Sequence, residues 1–189
     1  MMTNTDLLVE RNRQYAETYA QTGLPVLPKM RTVVLGCVDA RVDPAHLFNL
    51  ELGDVVVIRN NGGRVTPEVV DELVTLSIMV ANLDGAEPGP FEVMIVHHTQ
   101  CGAERFADPG FQKLLREKAG VDVSARAIVD HEQSLWQDVE RLHEDTRLPR
   151  SIIISAYLYD LQHAQLREVL SPVILGESIK TIPAMHGSG

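Results

Sequence analysis

The chain is poor in cysteine, with two in 189 residues, has a single tryptophan, and shows no excess of positive charge. Two cysteines cannot build a disulfide framework, which excludes the small secreted scaffolds and leaves chemistry or burial as their use. Against 26 acidic residues there are 17 basic ones, a net charge of −9, the wrong sign for work on nucleic acid or an anionic membrane. Neither partner is expected. No apolar run approaches the roughly 20 residues of a membrane span, and the opening MMTNTDLLVERNRQ lacks the charged-then-apolar order of a signal peptide. A soluble cytoplasmic protein is the expectation. With no internal repeat and no low-complexity stretch, residues 1–189 read as one domain, with 1–28 as an N-terminal arm and 171–189 as a tail of little signal.

Short β-branched runs alternate with helical spacing along the chain. Strands are expected at Thr32–Gly36, Asp54–Ile58, Phe91–Val96 and Ser151–Leu158, each a continuous apolar run of the kind buried on both faces. Helices are expected at Asp6–Gln21, with Gly23 as a stop, and from Thr66 to about Asn82, where Thr66, Pro67 and Glu68 give an N-cap, a first-turn proline and a first-turn acid. Two more are expected at Phe111–Lys118 and at Glu132–Glu144, the latter on an apolar stripe of Leu135, Trp136, Val139 and Leu142. Strands separated by helices, without two-residue hairpins, predict an α/β fold with a mainly parallel central sheet flanked by helices. A weak run at Leu166–Leu170 suggests an edge hairpin with the last strand.

In an open parallel sheet the ligand crevice lies at the carboxyl ends of the strands. Cys37 closes the first strand, and Cys101 follows the third within the run His97-His98-Thr99-Gln100-Cys101-Gly102. Two thiolates and the imidazole of His98 make a Cys2His set, which suits zinc and leaves a fourth tetrahedral position open. Taken singly, a cysteine is more often a small buried hydrophobe and a histidine a surface or hydrogen-bonded residue. His97, pointing to the opposite face of the strand, reads as a packing or hydrogen-bonding residue. Asp39 and Arg41 alternate along the segment after Cys37, where a bidentate guanidinium can hold the carboxylate ionised and aimed. A solvated Asp-Ala-Arg turn is the plainer alternative.

The set Cys37-Val38-Asp39-Ala40-Arg41 followed by His98-Thr99-Gln100-Cys101-Gly102, with Arg59-Asn60-Asn61-Gly62-Gly63 between them, resembles the β-class carbonic anhydrases. The likeness runs closely from Thr32 to Phe106 and loosely through the strand at Ile152. It implies the β-carbonic anhydrase fold with its N-terminal helical arm, Zn2+ on Cys37, His98 and Cys101, and an Asp39–Arg41 pair. It also implies a homodimer or homotetramer in which a neighbouring subunit supplies part of the pocket wall. The implied activity is reversible hydration of carbon dioxide to bicarbonate and a proton through a zinc-bound hydroxide, faster on the alkaline side because two thiolates feed electron density to the metal. Asp39 would orient the attacking oxygen, or swing onto zinc as a fourth ligand in a resting state. The Asn60–Gly63 loop reads either as support for the pocket wall or as a plain helix entry. Ala40 stands where many members carry serine, the connector Gly85–Pro90 is long, and His97-His98 replaces the usual Gly-His and resembles a subset that includes small actinobacterial-type enzymes and relatives hydrolysing carbonyl sulfide. Hydrolysis of carbonyl sulfide or carbon disulfide at the same site, and a non-catalytic zinc protein sensing bicarbonate, are the competing readings. No proton shuttle is assigned among His46, His131, His143, His163 and His186.

Overall fold

The computed structural model describes residues 2–84 and 91–177. Five strands form one sheet: β1 (Thr32–Cys37), β2 (Val56–Asn60), β3 (Glu92–His98), β4 (Ile153–Asp160) and β5 (Gln165–Ile174), in the order β2-β1-β3-β4-β5. The first four run parallel, and β5 pairs antiparallel with β4 as the edge hairpin. The helices are α1 (Asn4–Thr18), α2 (Pro44–Leu47), α3 (Pro67–Asp84), α4 (Pro109–Ala119) and α5 (His131–Glu144), with 3-10 turns at Gly102–Ala107 and Ser124–Arg126.

Parallel strands joined by crossovers must be covered on both faces, and the central strands show it. Val33 and Leu35 of β1, Val93 and Ile95 of β3, and Ile154 and Ala156 of β4 face one layer, where α3 contributes Val69, Val70 and Leu73 and α5 contributes Leu135, Val139 and Leu142. The other face carries Val34 and Val96, packed with Val42, Ala103, Ile128 and the partly buried Leu47 and Phe48. Cys37 and Cys101 belong to this second cluster. The α5 helix therefore lies across the sheet from both cysteines.

Several boundaries differ from expectation for identifiable reasons. β2 begins at Val56 because Asp54 is spent on a turn, its carboxylate accepting from the Glu51 N–H at 2.9 Å. Ser151 stays out of β4 because a tight turn precedes the strand, with the Ile152 N–H donating to Pro149 O. α1 starts early, since Thr3 and Asp6 form a reciprocal capping box. It ends at Thr18, where Tyr19 turns extended, well before Gly23. No residue of α1 is buried. β5 continues past Leu170 to Ile174, which pairs with Ile153, and leads to the fully buried Leu175. Pro172 disguises this strand in sequence, yet an edge strand with an irregular register tolerates it. Thr66 does begin α3, and Gly120 ends α4 in the left-handed region at φ 65°. The connector Gly85–Pro90 and the tail beyond Glu177 lie outside the described residues. Among those described, no helix is long and apolar enough to cross a membrane.

Candidate metal centre

Cys37 ends β1, His98 ends the adjacent strand β3, and Cys101 follows after a sharp turn in which Gln100 takes φ 57°. The turn is tied to the end of β4, because the Thr99 N–H donates to Tyr159 O and Thr99 Oγ1 accepts from the Leu161 N–H, both at 3.0 Å. All three side chains are buried, and their donor atoms lie within 4.8 Å of one another. The two sulfurs are 3.7 Å apart. Two sulfurs bonded at about 2.3 Å to one tetrahedral ion would sit about 3.8 Å apart, so the pair already has the required spacing. His98 Nδ1–H donates to Thr99 O at 2.9 Å, which leaves Nε2 as the bare nitrogen. That Nε2 is buried without a partner, a costly state for a polar atom unless something binds it. Sulfur, sulfur and imidazole nitrogen in this arrangement fit a zinc ion.

Electrostatics set the two thiols apart. A hydrogen bond from the Cys101 thiol, aided by His98 and the backbone N–H groups of Asp39 and Gly62, lowers Cys37 against the opposing cost of burial. The same bond, together with burial, pushes Cys101 upward. Burial works against a charged His98, but the Cys37 sulfur and the Thr99 carbonyl outweigh it and raise the ring.

Asp39 and Arg41 meet as a bidentate pair. Arg41 Nε donates to Oδ1 at 2.9 Å and Nη2 to Oδ2 at 2.6 Å, while the Arg41 backbone N–H also reaches Oδ1 at 2.9 Å. These bonds hold the Asp39 carboxyl well below the usual carboxylate range. Arg41 Nη2 additionally donates to Gln100 O at 3.1 Å, bridging the two ligand loops. Both carboxylate oxygens face the guanidinium, and Asp39 is not among the clustered metal donors.

Sequence reasoning placed Arg59 and Asn60 in a motif without giving Arg59 a holding role, and it did not single out Arg64 or Asp138. Arg59 donates to Cys37 O, to Asp39 O and to Asp43 Oδ2, between 2.7 and 2.9 Å, and so grips the whole segment that bears the ligand and the carboxylate. Asn60 closes the next turn by accepting from the Arg64 N–H and donating to Arg64 O. Arg64 is fully buried and paired with Asp138 of α5. A readable trace of this existed, since Asp138 lies on the apolar stripe of α5 between Leu135 and Leu142. A charge on such a stripe calls for a buried partner.

The Asn60–Gly63 loop is more than a helix entry. Gly63, at φ 67°, presses on the ligand strands so closely that a Cβ there would lie 3.0 Å from the Gly36 carbonyl carbon and 3.1 Å from both Cys37 N and Val96 O. Gly63→Ala is expected to cost about 1–3 kcal/mol through clash and backbone strain. A urea midpoint lowered at constant slope measures it.

Comparison with known proteins places this geometry. The family model described as carbonic anhydrase matches residues 32–169. A solved carbonic anhydrase from Streptococcus mutans superposes with a TM-score of 0.73 at 31% identity, covering 89% of this chain and 99% of the other. "Beta-carbonic anhydrase 1" of Mycobacterium tuberculosis is 26% identical over 170 residues, 89% of this chain and 99% of that protein. "Carbon disulfide hydrolase" of Acidithiobacillus thiooxidans is 25% identical over 188 residues, 87% of this chain and 88% of that protein. A match spanning both ligand loops, on a fold that puts Cys37, His98 and Cys101 within reach of one ion, means that this chain belongs to the β-carbonic anhydrase family.

Proposed function

We propose that the chain is a zinc enzyme catalysing reversible hydration of carbon dioxide to bicarbonate and a proton. The observation that carries this reading is the buried Cys37–His98–Cys101 set, with its partnerless imidazole nitrogen, beside the ionised Asp39–Arg41 pair. Cys37, His98 and Cys101 would hold the ion. Zinc supplies a Lewis acid that lowers the pKa of a coordinated water toward neutrality. Asp39, kept ionised by Arg41, would accept a hydrogen bond from the nucleophilic water and so orient it toward the substrate. Arg41 positions Asp39 and, through Gln100 O, holds that carboxylate relative to the Cys101 loop. Val42, Leu47, Phe48 and Val96 line an apolar hollow beside Cys37 and His98, a surface suited to an uncharged linear substrate.

That hollow has a volume of only about 10 Å³, room for about one water. A second copy of the chain is proposed to pack beside this site and supply part of the pocket wall. The support is α1, a 15-residue helix with no buried residue and with Leu7, Leu8 and Val9 exposed, and the open edge of β2. A homodimer or homotetramer is the assembly expected by light scattering.

The deciding experiment is stopped-flow carbon dioxide hydration by the zinc-loaded chain from about pH 6.5 to 9, a range bracketing the acidity that zinc confers on water. A catalysed rate that rises with pH is expected. A second reading comes from the carbon disulfide hydrolase relative, which is almost as similar as the carbonic anhydrase. Hydrolysis of carbon disulfide or carbonyl sulfide with no carbon dioxide hydration would overturn the first reading in favour of the second.

A further inference from the structure

α5 lies on the far face of the sheet from the cysteines, yet polar contacts link it to the surroundings of every ligand. Asp138, fully buried, accepts from Arg64 Nε at 2.7 Å, and Arg64 continues the turn whose Gly63 presses on Cys37 N. The same oxygen accepts from His97 Nε2 at 3.2 Å, and His97 immediately precedes His98 on β3. The other Asp138 oxygen is taken by Arg141 at 2.7 Å. Two helical turns earlier on the same face, His131 donates from Nε2 to Glu104 Oε1 at 3.0 Å. That Glu104 oxygen also accepts the Cys101 backbone N–H at 2.9 Å. The rings of His97 and His131 close the circuit edge-to-face, 5.9 Å between centroids.

We propose that α5 is a two-point brace for the metal centre, in which Asp138 and His131 are positioning residues that set the spacing of Cys37, His98 and Cys101 through Arg64, His97 and Glu104. Stability alone is a weak reason for this arrangement, because a buried ion pair is commonly replaced by apolar residues at no loss. Geometric registration of groups around a metal is what such outer contacts supply, and their loss typically weakens metal binding 10- to 100-fold. The inference rests on the zinc reading above, and its test reads metal binding directly.

The 189-residue chain, wild type and variants, is titrated with zinc against a chromophoric chelator, and its cobalt-substituted form is read for the thiolate-to-metal charge-transfer bands. In the paired variant Arg64→Met with Asp138→Leu, the expected result is a folded protein with zinc binding about 10- to 100-fold weaker and shifted cobalt bands. His131→Phe, which keeps the ring shape but not the bond to Glu104, is expected to weaken zinc about 10-fold, whereas His131→Gln can still donate and restores most of it. Zinc affinity within twofold of wild type and unchanged cobalt bands in the folded paired variant would overturn the brace. If that variant does not fold, wild-type affinity in His131→Phe overturns it instead. A wild-type chain that binds zinc but leaves carbon dioxide unreacted sinks the substrate assignment and not the brace. One with neither zinc binding nor a cobalt–thiolate band sinks both.

Discussion

Replacing Cys101 with serine is expected to abolish catalysis and weaken zinc binding by about 10²–10³-fold, on the scale of one ligand's share of a structural zinc site. Serine keeps the size of the side chain but offers a poorly acidic hydroxyl where zinc needs a thiolate. The sulfurs sit 3.7 Å apart and the His98 Nε2 is already aimed, so the remaining two ligands keep their places. Loss of metal, rather than loss of fold, is the expected defect. Thermal denaturation separates the two. Zinc at 1,000 times its dissociation constant adds about 4 kcal/mol to wild-type stability, a shift of several degrees, and Cys101→Ser is expected to lose that shift while keeping a cooperative transition. A variant that still gains wild-type stabilisation from zinc would remove Cys101 from the ligand set.

Asp39→Asn is expected to lower carbon dioxide hydration by about 10²–10³-fold with zinc content unchanged, the range for removing a positioned proton acceptor. The substitution keeps the shape and leaves intact the Arg59 contact, which goes to the Asp39 backbone carbonyl. It removes the charge that Arg41 stabilises and puts an NH2 where one oxygen accepted. Arg41→Ala acts only through Asp39 and the Gln100 carbonyl, so its expected loss is smaller, about 10-fold. Stopped-flow rates normalised to bound zinc measure both. Wild-type turnover in zinc-replete Asp39→Asn would show that the attacking oxygen needs no help from this carboxylate.

Much of the candidate centre is legible in the sequence. Cys37 and Cys101 each follow an apolar run short enough to be a buried strand, and parallel strands bring their carboxyl ends together. His98 and Cys101 share one tight loop, while Asp39 and Arg41 share another, so their pairing needs only local backbone. The start of α3 was legible for the same reason, since Thr66, Pro67 and Glu68 act within one turn. His97 was assigned to the opposite face from His98 by the period-two rule, and the structure puts it there, against Asp138.

One local contact and two long-range ones escaped. β2 slid by two residues because the Asp54 carboxylate found a turn N–H three positions back. The end of β5 hid behind Pro172, and only its pairing with β4 reveals it as strand. Arg64 and Asp138 are 74 residues apart, and no spacing in the chain announces that the turn after β2 and the middle of α5 will meet. The sequence by itself determined the strands, the main helices and the residues of each ligand loop, because periodicity, capping and short-range hydrogen bonds act over a few residues. Tertiary structure alone decided the 3.7 Å approach of the sulfurs and the pairing of Arg64, in the turn after β2, with Asp138 of α5. Those distances depend on the order β2-β1-β3-β4-β5 and on burial, which makes an unpaired charge too costly to leave unmatched.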